Sequence, residues 1–119
     1  MSKIRMFVYT NSLEGKDDEF NRWYDEIHVP EILKFTKSTA AQRFRLSDAQ
    51  PKDLPGDPEP FRYLAIYEFE IDSIAAFESL TASTEKMDLG NSLDETNAKL
   101  VFYDELGERV SSSTGSGTS

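Results

Sequence analysis

The chain has 119 residues, of which 38% are hydrophobic, so it can bury one core but not two and we expect a single domain. Its formal net charge of −9 argues against nucleic acid and anionic membranes as partners, because both are bound by clustered lysine and arginine. It has no cysteine and one histidine, which excludes disulfides, thiolate nucleophiles and metal sites built from several such ligands.

The hydropathy of the chain favours a cytoplasmic protein. No apolar run approaches the ~20 residues that are needed to cross a bilayer. The N-terminus lacks the basic segment and the apolar segment of a signal peptide. We therefore expect no membrane partner.

The first part of the chain predicts a strand followed by an aromatic helix. Residues 3–10, KIRMFVYT, are apolar on both alternating faces, as in a strand with neither face in water. A turn follows, and the acidic residues 17–19 suit the first turn of a helix that runs to about Val29. Pro30 disfavours helical geometry at Val29 and suits the start of a helix, so a second short helix is expected at an angle.

The middle of the chain predicts two strands joined by a long loop. Residues 39–47 and 61–71 have the residue types of strands. Residues 48–60 contain four of the five prolines and read as an irregular loop. Such a loop is either a mobile lid or a spacer.

The last part of the chain predicts a second helix and a fourth strand. Ile74, Phe77 and Leu80 mark the inward face of the helix. A polar section follows, with a short helix expected over residues 85–93, and residues 98–106 predict the strand. The domain should thus comprise residues 1–108. The tail, residues 109–119, ends in SSSTGSGTS and is expected to be disordered.

This order of elements predicts an α+β fold of the ferredoxin-like βαββαβ type, with a four-stranded antiparallel sheet and the helices on one face. The other face should be polar in a monomer. The strands instead carry large apolar residues on both alternations, such as Met6 and Val8 against Phe7 and Tyr9. A second copy would cover this face, so the sequence predicts a homodimer formed through the sheets.

The aromatic helix is the predicted site, because it holds the only histidine and the only tryptophan of the chain. Steps of about 100° per residue place one set of side chains on its inward face: Phe20, Trp23, Tyr24, Ile27 and Glu31. Asn21, Tyr24 and His28 line an edge of that face. Such an edge is where a pocket between helix and sheet would find convergent polar groups.

Each of these polar residues has a chemical role and a plainer alternative. His28 is the candidate general acid or base, because neutral imidazole exchanges a proton near pH 7, and the alternative is a structural histidine. Tyr24 would donate to a developing enolate or phenolate, or simply pack. Asn21 would orient the substrate or His28, or face water. Asp25 is placed to set the tautomer of His28.

Other side chains are candidates for the wall of a substrate pocket or for ordinary core: Trp23, Phe44, Tyr63, Tyr67 and Phe102. Arg43 and Arg45 have the guanidinium geometry that binds a carboxylate. The plainer interpretation pairs them with Glu68 or Glu70 across the strands.

Three segments of the chain resemble the dimeric α+β barrel superfamily, in particular its EthD-like branch. They are EFNRWYDEIHVPEIL, AQRFRLS and YLAIYEFE, and the resemblance covers residues 3–106. Its most specific part is an aromatic helix that ends in histidine with proline two residues later, as His28 and Pro30 do. The resemblance implies a dimer through the sheets and a pocket between sheet and helices in each subunit. Activities in the superfamily include polyketide cyclases, muconolactone isomerases, cofactor-independent monooxygenases and haem-handling enzymes, so the fold does not fix the reaction.

Together these observations favour an enzyme of the cyclase, isomerase or lyase type that needs no cofactor, with a monooxygenase as a variant. Its substrate would be a small aromatic, polyketide-like or enolisable molecule. His28 would move the proton, with Tyr24 and Asn21 as polar partners. Two alternatives stay open: a haem- or ligand-binding barrel with His28 as axial ligand, and a non-catalytic dimeric module.

Overall fold

The computed structural model describes residues 3–112 as a four-stranded antiparallel sheet with helices on one face. The strands are β1 (Ile4–Thr10), β2 (Ala40–Arg45), β3 (Tyr63–Phe69) and β4 (Lys99–Asp104), in the spatial order β2-β3-β1-β4. The helices are α1 (Asp17–Trp23), α2 (Val29–Phe35) and α3 (Ser73–Ser83), with a π-helical turn at Tyr24–His28 and a 3₁₀ turn at Thr84–Lys86. The predicted ferredoxin-like fold is confirmed. Most of the tail that was predicted to be disordered lies outside the described residues.

Alternation along the strands separates the two faces of the sheet, because successive side chains of a strand point to opposite sides. On β3, Tyr63 and Tyr67 are buried towards the helices, while Leu64 and Ile66 are half-buried on the other face. The core lies between sheet and helices, and its largest members are Ile4, Met6, Phe20, Trp23, Tyr24, Ile32, Tyr63, Tyr67 and Phe69.

The face without helices is apolar, as predicted. The ring of Phe7 packs edge-on against Tyr103, with ring centroids 4.9 Å apart. The ring of Tyr9 lies 5.9 Å from that of Phe61, and Nζ of Lys99 lies 4.4 Å from the centre of the Tyr9 ring. The homodimer that would cover this face stays a prediction.

The aromatic helix does not break before Pro30, and the predicted short second helix, α2, continues it directly through the π-helical turn. Val29 keeps helical angles, with φ −60° and ψ −48°, and its N–H donates to the carbonyl of Tyr24, five residues back. In an α-helix the ring of Pro30 would meet the carbonyl of Glu26, and the wider π turn opens the helix there. The turn also moves Ile27, expected inward, to 39% exposure.

The inward face of α3 is only partly as predicted. Ile74 is 72% exposed and Phe77 is 51% exposed, which contradicts their predicted inward position. Leu80 does pack against the core, and the fully buried positions of α3 are Ala76 and Ser83. Small side chains at the contact let a helix lie close to its neighbours, so α3 buries these instead of its large apolar residues.

The segment after α3 is a loop and not the helix predicted over residues 85–93, since helical structure there is limited to the 3₁₀ turn. The proline-rich residues 48–60 form an irregular loop, as predicted. Among residues 3–112, no helix combines the length and the apolar character that crossing a bilayer requires.

Candidate functional site

Arg43 of β2 lies where the sheet meets the aromatic helix. Its guanidinium carbon lies 4.4 Å from the centre of the Tyr24 ring, in a cation–π arrangement. Nη1 donates to the carboxylate of Asp25 and Nη2 to the amide oxygen of Asn21, both at 2.8 Å. Only 15% of the Arg43 side chain is exposed. Asp25, expected to set the tautomer of His28, is instead the ion-pair partner of Arg43.

The pairing predicted for the strand arginines is therefore wrong, since neither Arg43 nor Arg45 pairs with Glu68 or Glu70. Arg43 lies on the helix-facing side of the sheet, opposite Ala65 of β3. Glu68 alternates with the buried Tyr67 and so lies on the other face, where Arg5 approaches it to 4.0 Å.

Three buried polar atoms near this arginine have no hydrogen-bond partner among the described residues. They are the hydroxyls of Tyr24 and Tyr67 and Nδ1 of His28. Both tyrosines are 1% exposed, and the ring of His28 lies 4.9 Å from that of Tyr24 and perpendicular to it. A buried polar group without a partner costs about 1–3 kcal/mol, so native proteins keep few of them. The three groups together, here called the Tyr24–Tyr67–His28 cluster, are the candidate functional site.

Burial sets the protonation of this cluster. Burial, with the positive charge of Arg43 as a second cause, lowers the pKa of His28 from 6.5 to about 4. Burial also raises the pKa of Tyr24 and of Tyr67. The two hydroxyls interact with each other, which raises the pKa of Tyr67 further and partly offsets the rise for Tyr24, although they do not form a well-aligned hydrogen bond. At neutral pH the cluster therefore holds one proton acceptor beside two proton donors.

The indole of Trp23 covers one face of His28. The two rings are stacked, with centroids 4.7 Å apart and planes inclined by 19°. Nε1 of Trp23 donates to the carbonyl of Asp88 at 2.8 Å, and the N–H of Asp88 donates to the carboxylate of Glu31 at 3.0 Å. The loop after α3 is thus bonded to the aromatic helix on both sides of His28.

A chain of hydrogen bonds extends from Arg43 towards the start of α1. Nδ2 of Asn21 donates to the hydroxyl of Tyr63 at 3.3 Å, and that hydroxyl donates to the carboxylate of Asp17 at 2.6 Å. Nη2 of Arg62 lies 3.4 Å from the same carboxylate. The hydrogen bond from Tyr63 is the largest cause of the lowered pKa of Asp17.

An open cleft of about 810 Å³ borders this chain of hydrogen bonds. Residues of the aromatic helix and of two strands line it: Asn21, Asp25, Arg43, Phe44, Arg45 and Tyr63. A second cleft of about 390 Å³ shares Asn21, Arg45 and Tyr63 with the first. His28 lines neither cleft, and Arg43 is the residue that contacts both the larger cleft and the buried cluster.

The residues predicted for the site fall into two adjoining groups and two outliers. Tyr24, His28, Trp23 and Tyr67 lie in the buried group, and Asn21 and Tyr63 lie along the cleft. Phe44 points to the opposite face of β2 from Arg43, is 41% exposed and reaches only the rim of the cleft. Phe102 lies on β4, at the far edge of the sheet, and packs against Phe77.

The sequence did not reveal the position of Arg43 between cleft and cluster. The sequence did place Arg43 on the face of β2 that points to the core. A charged side chain is buried there only when other groups pair with it. Those partners lie 18 and 22 residues away along the chain, which no local pattern relates to β2.

Comparison with known proteins places the chain in a family. The EthD domain model matches residues 15–97. The fold is similar to that of an ethyl tert-butyl ether D (EthD) family protein from Bacillus halodurans C-125, whose crystal structure gives a TM-score of 0.58. That likeness covers 89% of this chain and 100% of the other at 14% identity, so it shows the fold alone. No curated protein matches the chain. Since the domain model spans more than half of its residues, the chain belongs to the EthD family, within the dimeric α+β barrel fold.

Proposed function

We propose that the protein is an enzyme of the cyclase, isomerase or lyase type that transfers a proton on a small aromatic or enolisable molecule without a cofactor. The observation that supports this is the unpaired Nδ1 of His28, buried beside the unpaired hydroxyls of Tyr24 and Tyr67. Most structural histidines have such a buried nitrogen hydrogen-bonded. Groups kept unpaired at the expense of stability are typical of active sites.

The protonation states of the cluster support the proposed roles. The low pKa of His28 keeps its imidazole neutral at pH 7, which is the form that accepts a proton from carbon next to a carbonyl. Tyr24 and Tyr67 keep their protons and can donate to the carbonyl oxygen as it gains negative charge. The guanidinium of Arg43 adds a positive charge beside them. Return of the proton from His28 to another atom of the substrate would complete an isomerisation.

Access to the cluster would run through the larger cleft. Arg43 contacts the ring of Tyr24 and also lines the cleft, so movement of its side chain would expose the cluster to the cleft. Asn21 bonds to Arg43 and not to His28, and its proposed role is therefore to position the guanidinium. Tyr63 is the proposed contact for the aromatic part of the substrate, with Trp23 as a wall behind His28.

No observation favours the alternative in which His28 binds haem iron. The imidazole does not line the clefts described above, and Trp23 covers one of its faces. The alternative of a non-catalytic module leaves the unpaired atoms of the Tyr24–Tyr67–His28 cluster without a reason.

Deuterium exchange tests the proposed proton transfer. The α-hydrogens of 2-tetralone, an aromatic and enolisable ketone, exchange in D₂O, and ¹H NMR follows their loss. We expect the wild type to accelerate this exchange over buffer and His28→Ala to reduce the acceleration about 100- to 10,000-fold. Glu26→Gln, an exposed change in the same π turn, is the matched control and should equal the wild type. Exchange that is unchanged in His28→Ala would remove His28 from this role.

A further inference from the structure

Arg45 is the arginine of the larger cleft that forms no ion pair within residues 3–112. Arg43 and Arg45 point to the same side of β2, about 6–7 Å apart along the strand, and both line the cleft. Arg43 is neutralised by Asp25 at 2.8 Å. Arg45 is exposed and forms neither an ion pair nor a side-chain hydrogen bond within residues 3–112. Its guanidinium fork is therefore free for a ligand.

The acids around Arg45 decide which anion it can take. Asp17 already accepts hydrogen bonds from Tyr63 and Arg62, at the end of the cleft shared with Arg45. Asp18 and Asp48 line the same space and are exposed, so their negative charges remain unpaired by protein. They would repel a phosphate dianion more strongly than a carboxylate, which carries one charge and fits one guanidinium fork.

The residues next to Arg45 suit an aromatic ring. Arg45 pairs directly with Tyr63 across the sheet, and both side chains line the cleft. An acid bound at Arg45 would extend by roughly one ring length towards Arg43, the residue that adjoins the Tyr24–Tyr67–His28 cluster.

We infer that Arg45 binds a carboxylate of the substrate and that the substrates are aromatic carboxylic acids. This inference rests on the proposed function, because it assigns the substrate class of the same site. Arg43 then faces the reacting part of the molecule, and Arg45 holds the opposite end.

Calorimetric titration with 2-naphthoate tests the inference without turnover. Arg45→Gln should weaken 2-naphthoate binding at least tenfold, and Arg45→Lys should weaken it less, because lysine keeps the charge and loses the fork. Arg22→Gln makes the same charge change at an exposed position of α1 outside the cleft and should bind as the wild type does. The neutral 2-naphthylmethanol should bind more weakly than 2-naphthoate and equally to the wild type and Arg45→Gln. Thermal unfolding of each variant confirms that it is folded.

Several results would overturn the inference. They are the absence of 2-naphthoate binding to the wild type at millimolar concentration, unchanged binding in Arg45→Gln, and tighter binding of 2-naphthyl phosphate than of 2-naphthoate. The proposed proton transfer fails separately, because it depends on exchange in His28→Ala and not on binding at Arg45. His28→Ala should still bind 2-naphthoate as the wild type does.

Discussion

Gly90 lies so close to the indole of Trp23 that a β-carbon added to it would be 3.0 Å from both Cδ1 and Nε1 of the ring. The backbone of Gly90 has φ +64°, a conformation that glycine adopts freely and other residues rarely do. Because Trp23 is itself stacked on His28, the loop after α3 determines where the imidazole can lie.

Gly90→Ala is expected to destabilise the protein more than Gly15→Ala. Gly15 also has a positive φ, +77°, but nothing lies within 4 Å of its added β-carbon. Both changes add the strain of left-handed backbone, about 1–2 kcal/mol, and Gly90→Ala adds crowding against Trp23 of about 1–3 kcal/mol. Urea unfolding of both variants measures the difference. Equal losses would contradict the close contact between Gly90 and Trp23.

Stability is expected to fall as the pH is lowered from 7 to 4.5, because of His28. Its pKa is about 4 in the folded protein and 6.5 when unperturbed, so in this window the unfolded chain binds a proton that the folded chain does not. The stability that neutral His28 preserves is fully present above about pH 6.5. The loss of unfolding free energy amounts to roughly 2–3 kcal/mol by pH 4.5. Urea unfolding at both pH values measures it.

His28→Gln is the control for this pH dependence, since it removes the titrating group. The variant should lose less free energy of unfolding than the wild type between pH 7 and 4.5. Asp17 and Asp94, whose pKa values are lowered in the fold, act mainly below about pH 4 and are present in both proteins. If both proteins lose the same stability, His28 is not held neutral by burial.

Arg43→Lys is expected to cost about 1–2 kcal/mol of unfolding free energy, although the charge is kept. An ammonium cannot bond Asp25 and Asn21 in a fixed fork while stacking on Tyr24. Because Asp25 is 64% exposed, its ion pair is screened by solvent and contributes little of this loss. The loss should therefore persist in 0.5 M salt, at about the same size. Arg22→Lys, at an exposed position of α1, should leave stability unchanged.

The wild type is expected to sediment as a dimer at micromolar concentration, because the face of the sheet without helices is apolar. Ile66→Lys places a charge on that face and should yield monomers. Ile74→Lys, at a 72% exposed position on α3, introduces the same side chain elsewhere and should remain dimeric. A monomeric wild type would refute the proposed sheet-to-sheet contact.

The strands and their two faces follow from the sequence because alternation is a local property. The inward positions of β3, from Tyr63 to Phe69, are those that a period of two predicts. The α3 helix shows the limit of such patterns. Apolar spacing marks Ile74 and Phe77 as hydrophobic, but the closeness of the neighbouring elements decides that Ala76 is buried instead.

The residue types of the candidate site were predictable from the sequence, but its hydrogen bonds between distant segments were not. The single histidine and tryptophan, with Tyr24, pointed to the aromatic helix, and these three rings are in mutual contact. The bond from Trp23 to Asp88 spans 65 residues, and its geometry depends on the loop after α3. Contacts between such distant segments arise only when the whole core is packed.

The π turn at Tyr24–His28 also lets the helix hold one extra residue while its later side chains still face the sheet. In an unbroken α-helix, the residues after Tyr24 that face the sheet would be 27 and 31, yet His28 and Ile32 occupy those positions. The turn thus absorbs one residue. Loss of a single codon at Glu26 would leave Ile32 facing the core but would bring His28 to three residues from Tyr24. Such a deletion would move His28 relative to Tyr24 and would leave the core packing of Ile32 in place.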